Sequence, residues 1–340
     1  MSGERANGVR GERENGVRGG AVAEVRPLTP SDLSPLTGPA HPPLLTSHTV
    51  GSALARAADL LEAAGVPDAR READELYAAI VGRATSAAWL EREQPSTEAL
   101  RVRLDVAVRH RAQGWPQAYA AGRANFRGHW LTVDRRVLIP RPETEGLVEV
   151  VLEWLRAAGG RRGAEGGSVV ADIGTGSGAI AVALALESPA GRIIATDRSA
   201  GALAVARANV AEHGVASRVE LCRGHLLAPL GNGRVDVVVS NPPYVATGEW
   251  ERLEPGVRTF EPREALDGGP DGLGAIREIV VSSRAVLNDG GLLALEVDAP
   301  RAGRVAELAA EAGFNSCTIL HDLFGRPRYV RAWRPSDGSD

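Results

Sequence analysis

The stretch VVVSNPPYVA, Val237 to Ala246, decides how this chain folds. Val237, Val238 and Val239 read as a buried strand, which has to end at Ser240 because neither Pro242 nor Pro243 can donate to a sheet ladder. A side-chain amide (Asn241), a stiff turn and an aromatic ring (Tyr244) are thereby fixed at the C-terminal end of a strand. Open α/β sheets hold their ligands at that end.

Outward from this stretch, apolar runs alternate with helical periodicity from about Val169 onward. The strands are VVADIG, RIIATD, VELCRG, VDVVVS and GLLALEV, with helices starting near Gly178, Ser199, Asp271 and Pro300. Such alternation predicts a parallel sheet with helices on both faces. The end of the chain departs from it: NSCTILHD and RYVRAWRP flank LFGRP, which leaves no room for a helix. The last two strands are therefore expected to form an antiparallel hairpin. The fold class is α/β, a mostly parallel sheet closed by one reversed strand, and it resembles the Rossmann-like methyltransferases.

The N-terminal part is organised differently. GERANGVR is followed directly by GERENGVR, and a Pro/Ser/Thr-rich stretch comes next, so residues 1–47 are expected to be a disordered tail. Residues 48–121 read as a small helical domain. There Leu54, Ala57, Leu60 and Leu61 share one face, Gly65 caps the first helix, and Ser96 opens a later one. RANFRGHWLTVD reads as a β-hairpin within a connector, residues 122–140, leaving 141–335 for the sheet domain.

Composition narrows the function classes. A formal charge of −4 argues against a broad nucleic-acid surface, and all 39 basic residues are arginine. The two cysteines show no CxxC spacing, so a metal site is not indicated and a reducing cytoplasm fits. The N-terminus lacks an apolar h-region and no apolar run reaches membrane-spanning length, so neither secretion nor a membrane partner is expected.

ADIGTGSGAIA joins the first strand of the sheet to its helix. Gly174, Gly176 and Gly178 permit a sharp turn and close approach of backbone to ligand. The run also satisfies the dinucleotide fingerprint, with Asp197 where a ribose-binding acid belongs, so this turn alone leaves a dinucleotide enzyme open. S-adenosylmethionine (SAM) has no pyrophosphate but carries an ammonium group. Asp172, just before the glycines, suits that group, or else serves as a turn acid.

Asn-Pro-Pro-Tyr breaks the tie. The lone pair of an amide or ring-bound amino nitrogen is delocalised, and no ordinary base removes its proton first. A site can instead accept hydrogen bonds from both N–H groups and aim the nitrogen. Asn241 offers a side-chain carbonyl, Pro242 a backbone carbonyl, and Tyr244 a stacking face. The bland alternative is a strand-terminating turn with an aromatic core anchor.

The sequence resembles the HemK/PrmC family of protein-(glutamine-N5) methyltransferases over about Val50 to Trp333. The segments that carry this are RREADELYAAIVG, NFRGHWLTVDRRVLIPRPETEGLVE, VVADIGTGSGAIAVALA, ATDRSAGALAVARANV, VVVSNPPYV, EPREALDGGPDGL and HDLFGRPRYV. The resemblance implies a class I SAM-dependent enzyme that methylates the glutamine of the Gly-Gly-Gln motif in peptide-chain release factors. It implies cofactor contacts from Gly174, Thr175, Gly176, Gly178 and Asp197, and Asp172, Ser177, Arg198, His225, Leu226 and Asn241 are expected beside them. On the substrate side it implies Asn241, Pro242, Pro243 and Tyr244, with Phe126, Pro140, Arg141 and Glu143 as wall and lid. For the last four, hairpin core and helix N-terminus are the competing roles.

Two departures stand out. His225, before Leu226, stands where the family has an acid followed by an aromatic residue or leucine, and a histidine accepts from an adenine amino group only when neutral, so SAM binding is expected to be weaker or more pH-sensitive. LEVDAP also lacks the glycine expected soon after Glu296. The rival readings are a paralogue acting on another protein or a small metabolite, an adenine-N6 nucleic-acid methyltransferase, and a non-catalytic SAM-binding module.

Overall fold

The computed structural model describes residues 48–158, 167–188 and 190–336; the tail expected over residues 1–47 lies outside them. The first helix, α1 (Val50–Ala63), opens on a reciprocal cap: the Thr49 hydroxyl accepts from the Ser52 N–H while the Ser52 side chain accepts from the Thr49 N–H. Its C-cap is Ala64, and Gly65 takes the left-handed turn one residue later (φ 77°). After α2 (Ala69–Val81) and α3 (Ala87–Leu90) comes α4 (Glu98–Ala112), capped by Thr97 and not by Ser96. Both residue types cap well, but Thr97 accepts from the Leu100 N–H, whereas Ser96 is buried one residue earlier and its backbone bonds to His48. With α5 (Gln117–Ala121), these helices enclose a core of Leu54, Leu61, Leu76, Tyr77 and Leu104.

A hairpin of β1 (Arg123–Phe126) and β2 (His129–Thr132) comes next. Its two turn residues, Arg127 (φ 51°) and Gly128 (φ 79°), are both left-handed, which gives the turn the twist of its strands. The hairpin and helices are fastened to the sheet domain. Arg123 pairs with Glu212 at 2.6 Å, and Trp115 packs on Phe260 with ring centroids 5.3 Å apart.

The sheet domain runs α6 (Pro142–Ala158), β3 (Val169–Ile173), α7 (Ala179–Glu187), β4 (Arg192–Asp197), α8 (Ala200–Glu212), β5 (Val219–Arg223) and β6 (Val235–Ser240). It continues with α9 (Pro255–Phe260), α10 (Gly274–Val286), β7 (Leu287–Glu296), α11 (Ala299–Glu311), β8 (Asn315–His321) and β9 (Pro327–Trp333). The strand order is β5-β4-β3-β6-β7-β9-β8, with β9 antiparallel to both neighbours. The reversed strand thus lies one place in from the edge. Burial explains this: β9 contributes buried Val330 and Ala332, whereas no residue of β8 is fully buried, as suits an edge.

Helix α10 starts at Gly274 and not near Asp271, because Asp271 Oδ1 accepts from the Leu273 N–H and holds that segment in a turn. Within β6 the period of two divides the core. Val237 and Val239 pack with Leu147, Val151 and Leu184 on one face, while Val238 packs with Ile276, Ile279 and Val305 on the other. No helix among the described residues is long and apolar enough to cross a membrane.

The chain builds outward from β3 to β5, then returns to place β6 on the other side of β3. That reversal is a topological switch point, the place where an open α/β sheet forms its ligand crevice. The glycine turn leaves β3 there and Asn-Pro-Pro-Tyr leaves β6. Ser240 Oγ joins the two strand ends by donating to the Ile173 carbonyl at 2.6 Å.

Candidate active site

Gly174, Gly176 and Gly178 all take positive φ (73°, 56° and 82°). A Cβ on Gly174 or Gly176 would meet nothing within 4 Å, so conformation and not crowding demands glycine there. At Gly178, a Cβ would come within 3.3 Å of the Ala206 side chain. The turn is held from β4: the N–H groups of Gly174 and Thr175 each donate to the Thr196 carbonyl at 2.9 Å. Asn209, fully buried in α8, accepts from the Thr132 N–H at 2.7 Å and donates to the Thr132 and Ser177 carbonyls at 3.0 and 2.7 Å. One amide therefore ties hairpin, turn and helix together.

At the end of β4, Asp197 accepts from the Gly176 N–H at 3.0 Å and the Ser199 N–H at 2.8 Å, one bond per oxygen. Each carboxylate oxygen keeps a further acceptor site. Leu226 is held at φ 45°, a strained value for a non-glycine residue, while its carbonyl accepts from the Thr196 hydroxyl at 2.9 Å.

Gly174, Gly176, Asp197, Ser199 and Leu226 border one cavity of about 760 Å³. Of the expected site residues, Gly174, Gly176, Asp197, Arg198, His225, Leu226, Asn241 and Pro243 border it. The lining also includes Val137, Leu138, Pro262 and Ala265, which sequence reasoning missed. His225 Nε2 lies 2.8 Å from Glu278 Oε2, and both side chains are exposed.

Several expected residues stand elsewhere. Asp172, expected to meet a ligand ammonium group, is fully buried behind the turn, where Thr175 donates to its Oδ2 at 2.6 Å. Its Oδ1 is buried without a hydrogen-bond partner, and burial pushes its pKa up to about 7. Asp172 holds the turn from within. Thr175 and Ser177 are buried and Gly178 is the N-cap of α7. Phe126, expected in the substrate wall, is fully buried against Leu131 and Leu147 in the core. The alternation of a hairpin strand points it inward.

Arg141 pairs with buried Glu261 at 2.6 Å, and the Ile139 N–H donates to the same carboxylate at 3.2 Å, pinning the segment around Pro140. Glu143 pairs with Arg326 at 3.2 Å, and its carbonyl accepts from the Tyr329 hydroxyl at 2.6 Å. Pro140, Arg141 and Glu143 lie outside the cavity lining, as do Pro242 and Tyr244, the latter packed partly against the core.

Asn241, immediately after β6, donates from Nδ2 to the Thr144 Oγ1 at 2.9 Å, and Thr144 donates onward to Glu296 Oε2 at 2.7 Å. Pro242 is buried. Burial, with Glu296 nearby, pushes the Tyr244 phenol up to about 12, so it stays protonated at neutral pH and cannot act as a base.

The Pro-Pro-Tyr turn is braced from outside by residues 266–274. Val245 N–H donates to the Leu266 carbonyl at 2.9 Å, and Gly268 N–H donates to the Val245 carbonyl at 2.8 Å. A Cβ on Gly268 would fall 2.6 Å from the Pro243 carbonyl and 2.7 Å from that of Gly272. Both obstacles are backbone. Gly268→Ala is expected to cost about 1–3 kcal/mol of stability, as overpacking does, and to lower turnover more than affinity for the cavity's ligand. Urea unfolding and steady-state kinetics check this; wild-type values for both would refute the brace.

Glu296 is also raised to about 7 by burial, so at neutral pH it carries a cost that the unfolded chain does not. In the folded state Glu296 and Asp172 hold their protons to higher pH than when unfolded. The stability they confer is complete below their unfolded values and is lost as pH rises toward about 7. Glu296→Gln is expected to flatten the decline between about pH 4.5 and 7, on the order of 3 kcal/mol at most. Parallel slopes for variant and wild type in denaturant titrations across that range would contradict it.

A glycine turn after the first strand of the large sheet, an acid ending the second and a reversed last strand define a class I SAM-dependent methyltransferase. Two family models match: the methyltransferase small domain over residues 152–253 and the PrmC N-terminal domain over residues 52–122. The release factor glutamine methyltransferase of Cereibacter sphaeroides is 41% identical over 284 residues, covering 84% of this chain and 98% of the relative. That of Moorella thermoacetica is 41% identical over 289 residues, covering 84% and 99%. That of Geobacter sulfurreducens is 39% identical over 266 residues, covering 78% and 90%. The chain belongs to the release factor glutamine methyltransferase family.

Proposed function

We propose that this protein transfers a methyl group from SAM to the side-chain amide nitrogen of a glutamine in a peptide-chain release factor, at the Gly-Gly-Gln motif. One observation carries the amide chemistry. The Asn241 amide nitrogen is already engaged by Thr144, which leaves its carbonyl oxygen for a substrate N–H in the switch-point cavity that Asn241 borders.

The cavity fits the methyl donor. Gly174 and Gly176 present backbone with open space where a side chain would stand, and Asp197 has acceptor sites for two ribose hydroxyls. His225 and Leu226 flank the position for adenine. With Nε2–H donated to Glu278, His225 Nδ1 is the acceptor for an adenine amino group. When bound, SAM supplies a methyl group made electrophilic by its sulfonium.

The protein contributes orientation. Asn241 Oδ1 and the Pro242 carbonyl accept the two N–H groups of the glutamine amide, and the proline ring keeps the second acceptor from turning. Tyr244, a neutral phenol, offers a face for the planar amide. Bringing nitrogen within about 3–3.5 Å of the reacting carbon supplies much of the rate. The expected partner is a cytoplasmic protein, in keeping with the free Cys222 and Cys317; neither membrane nor nucleic acid is called for.

The test is incubation with methyl-labelled SAM and a mixture of release factors, duplex DNA and RNA, followed by mass spectrometry. Label on the Gly-Gly-Gln glutamine is the expected result. Label on adenine or on another protein would replace this reading, and SAM binding without turnover would mark a non-catalytic module.

A further inference from the structure

A primary amide has two ends of nearly equal size and opposite hydrogen-bonding character. If Asn241 presented its NH2 to the substrate, donor would face donor and the glutamine nitrogen would lose one of its two holders. Something must therefore decide which end of Asn241 faces the cavity. Proline rigidity does not, because it constrains the backbone and leaves the last side-chain torsion free.

Three elements converge on that amide. Thr144 lies in the first turn of α6, Glu296 is the last residue of β7, and Asn241 follows β6. Thr144 is 5% and Glu296 1% exposed, so water has little access to replace either partner. A hydroxyl has one proton to give, and while Glu296 is ionised it goes to Glu296 Oε2 at 2.7 Å. The Thr144 oxygen is left as an acceptor, and it takes the Asn241 NH2 at 2.9 Å. Turning the amide over would set Asn241 Oδ1 against the lone pairs of that oxygen and leave both unsatisfied.

We propose that Thr144 is a positioning residue for methyl transfer: with its hydroxyl proton committed to Glu296, it fixes the Asn241 carboxamide with the carbonyl end toward the substrate. Thr144 lies outside the lining of the cavity and acts only through Asn241. The inference rests on Asn241 holding the substrate amide, as proposed above.

The test compares Thr144→Val, which keeps the shape and removes the hydroxyl, with Thr144→Ser, which keeps the hydroxyl. For T144V, kcat is expected to fall roughly 10-fold or more, as for a misplaced reacting group, while SAM affinity stays within about twofold. T144S is expected to recover most of the wild-type kcat. A T144V kcat within twofold of wild type, or a T144S variant as impaired as T144V, would overturn the proposal.

A second measurement does not depend on turnover. Hydrogen exchange of the Asn241 side-chain NH2, followed by NMR on the full chain, is expected to be markedly faster in T144V than in wild type or T144S. Unchanged exchange in T144V would overturn the proposal. Wild-type protein that leaves glutamine unmethylated would sink the proposed function instead, and the exchange measurement would still judge Thr144.

Discussion

Asn241→Ala is expected to lower kcat by roughly 100-fold or more, in line with the loss of one pre-aimed polar group from a transfer site. SAM affinity should stay within a few-fold. The separation comes from where the residue sits. Asn241 borders the cavity at the end of β6, while the glycine turn and Asp197 stand at the ends of β3 and β4. Removing the amide takes away an acceptor and also frees the Thr144 hydroxyl from its second partner, but it leaves the Gly174–Gly178 backbone and its bonds to Thr196 in place. Single-turnover kinetics with release factor, alongside calorimetric titration of SAM, separate the two effects. Near-normal turnover would refute the role, and a collapse of SAM affinity would show that Asn241 mainly serves the donor.

Asp197→Ala is expected to act the other way round, weakening SAM binding roughly 100-fold. Hydrogen bonds to a charged group contribute about 1.5–3 kcal/mol each, and about 1.4 kcal/mol is tenfold in affinity. Asp197 has two assignments. It receives Gly176 N–H and Ser199 N–H, shaping the turn and the start of α8, and it presents its remaining acceptor sites to a ribose. Once saturated with SAM, the variant should turn over far closer to the wild-type rate than N241A does. Unchanged affinity by calorimetry would remove the ribose contact from the account.

How much of this was legible in the sequence depended on range. Val237–Ser240, with two prolines just beyond Asn241, could only be a buried strand that stops, and strand–glycine turn–helix is equally local, so the mostly parallel sheet and its two ligand-side strand ends could be read directly, whereas the strand order that makes a switch point of them could not. The caps were read to within a residue; Ser96 and Thr97 are adjacent and chemically alike, and only the three-dimensional path of the chain selects Thr97.

Contacts between distant segments were not legible. Nothing in PRPETE announces that Thr144 meets Glu296, 152 residues away, or that Arg141 meets Glu261 across 120 residues. The role of the DGGPDGL segment as a brace on Pro243 appears only when the Gly268 backbone is seen against that carbonyl. For Phe126 the sequence left wall and hairpin core as competing roles, because a four-residue strand alternates sides and sequence alone does not say which side faces the core; the structure packs it in the core. The place of β9 inside β8 depends on which of two similar strands buries more, which the alternation in NSCTILHD and RYVRAWRP does not settle.

The account stands on two oxygens, Asn241 Oδ1 and the Pro242 carbonyl, held toward the methyl donor to grip an unreactive NH2. A crystal structure with S-adenosylhomocysteine and a Gly-Gly-Gln peptide tests this most directly. The account predicts the glutamine side-chain nitrogen within about 3.2 Å of both oxygens, with the Asn241 nitrogen still on Thr144. A glutamine held by other groups, with the Asn241 carboxamide turned from it into the protein interior, would contradict it.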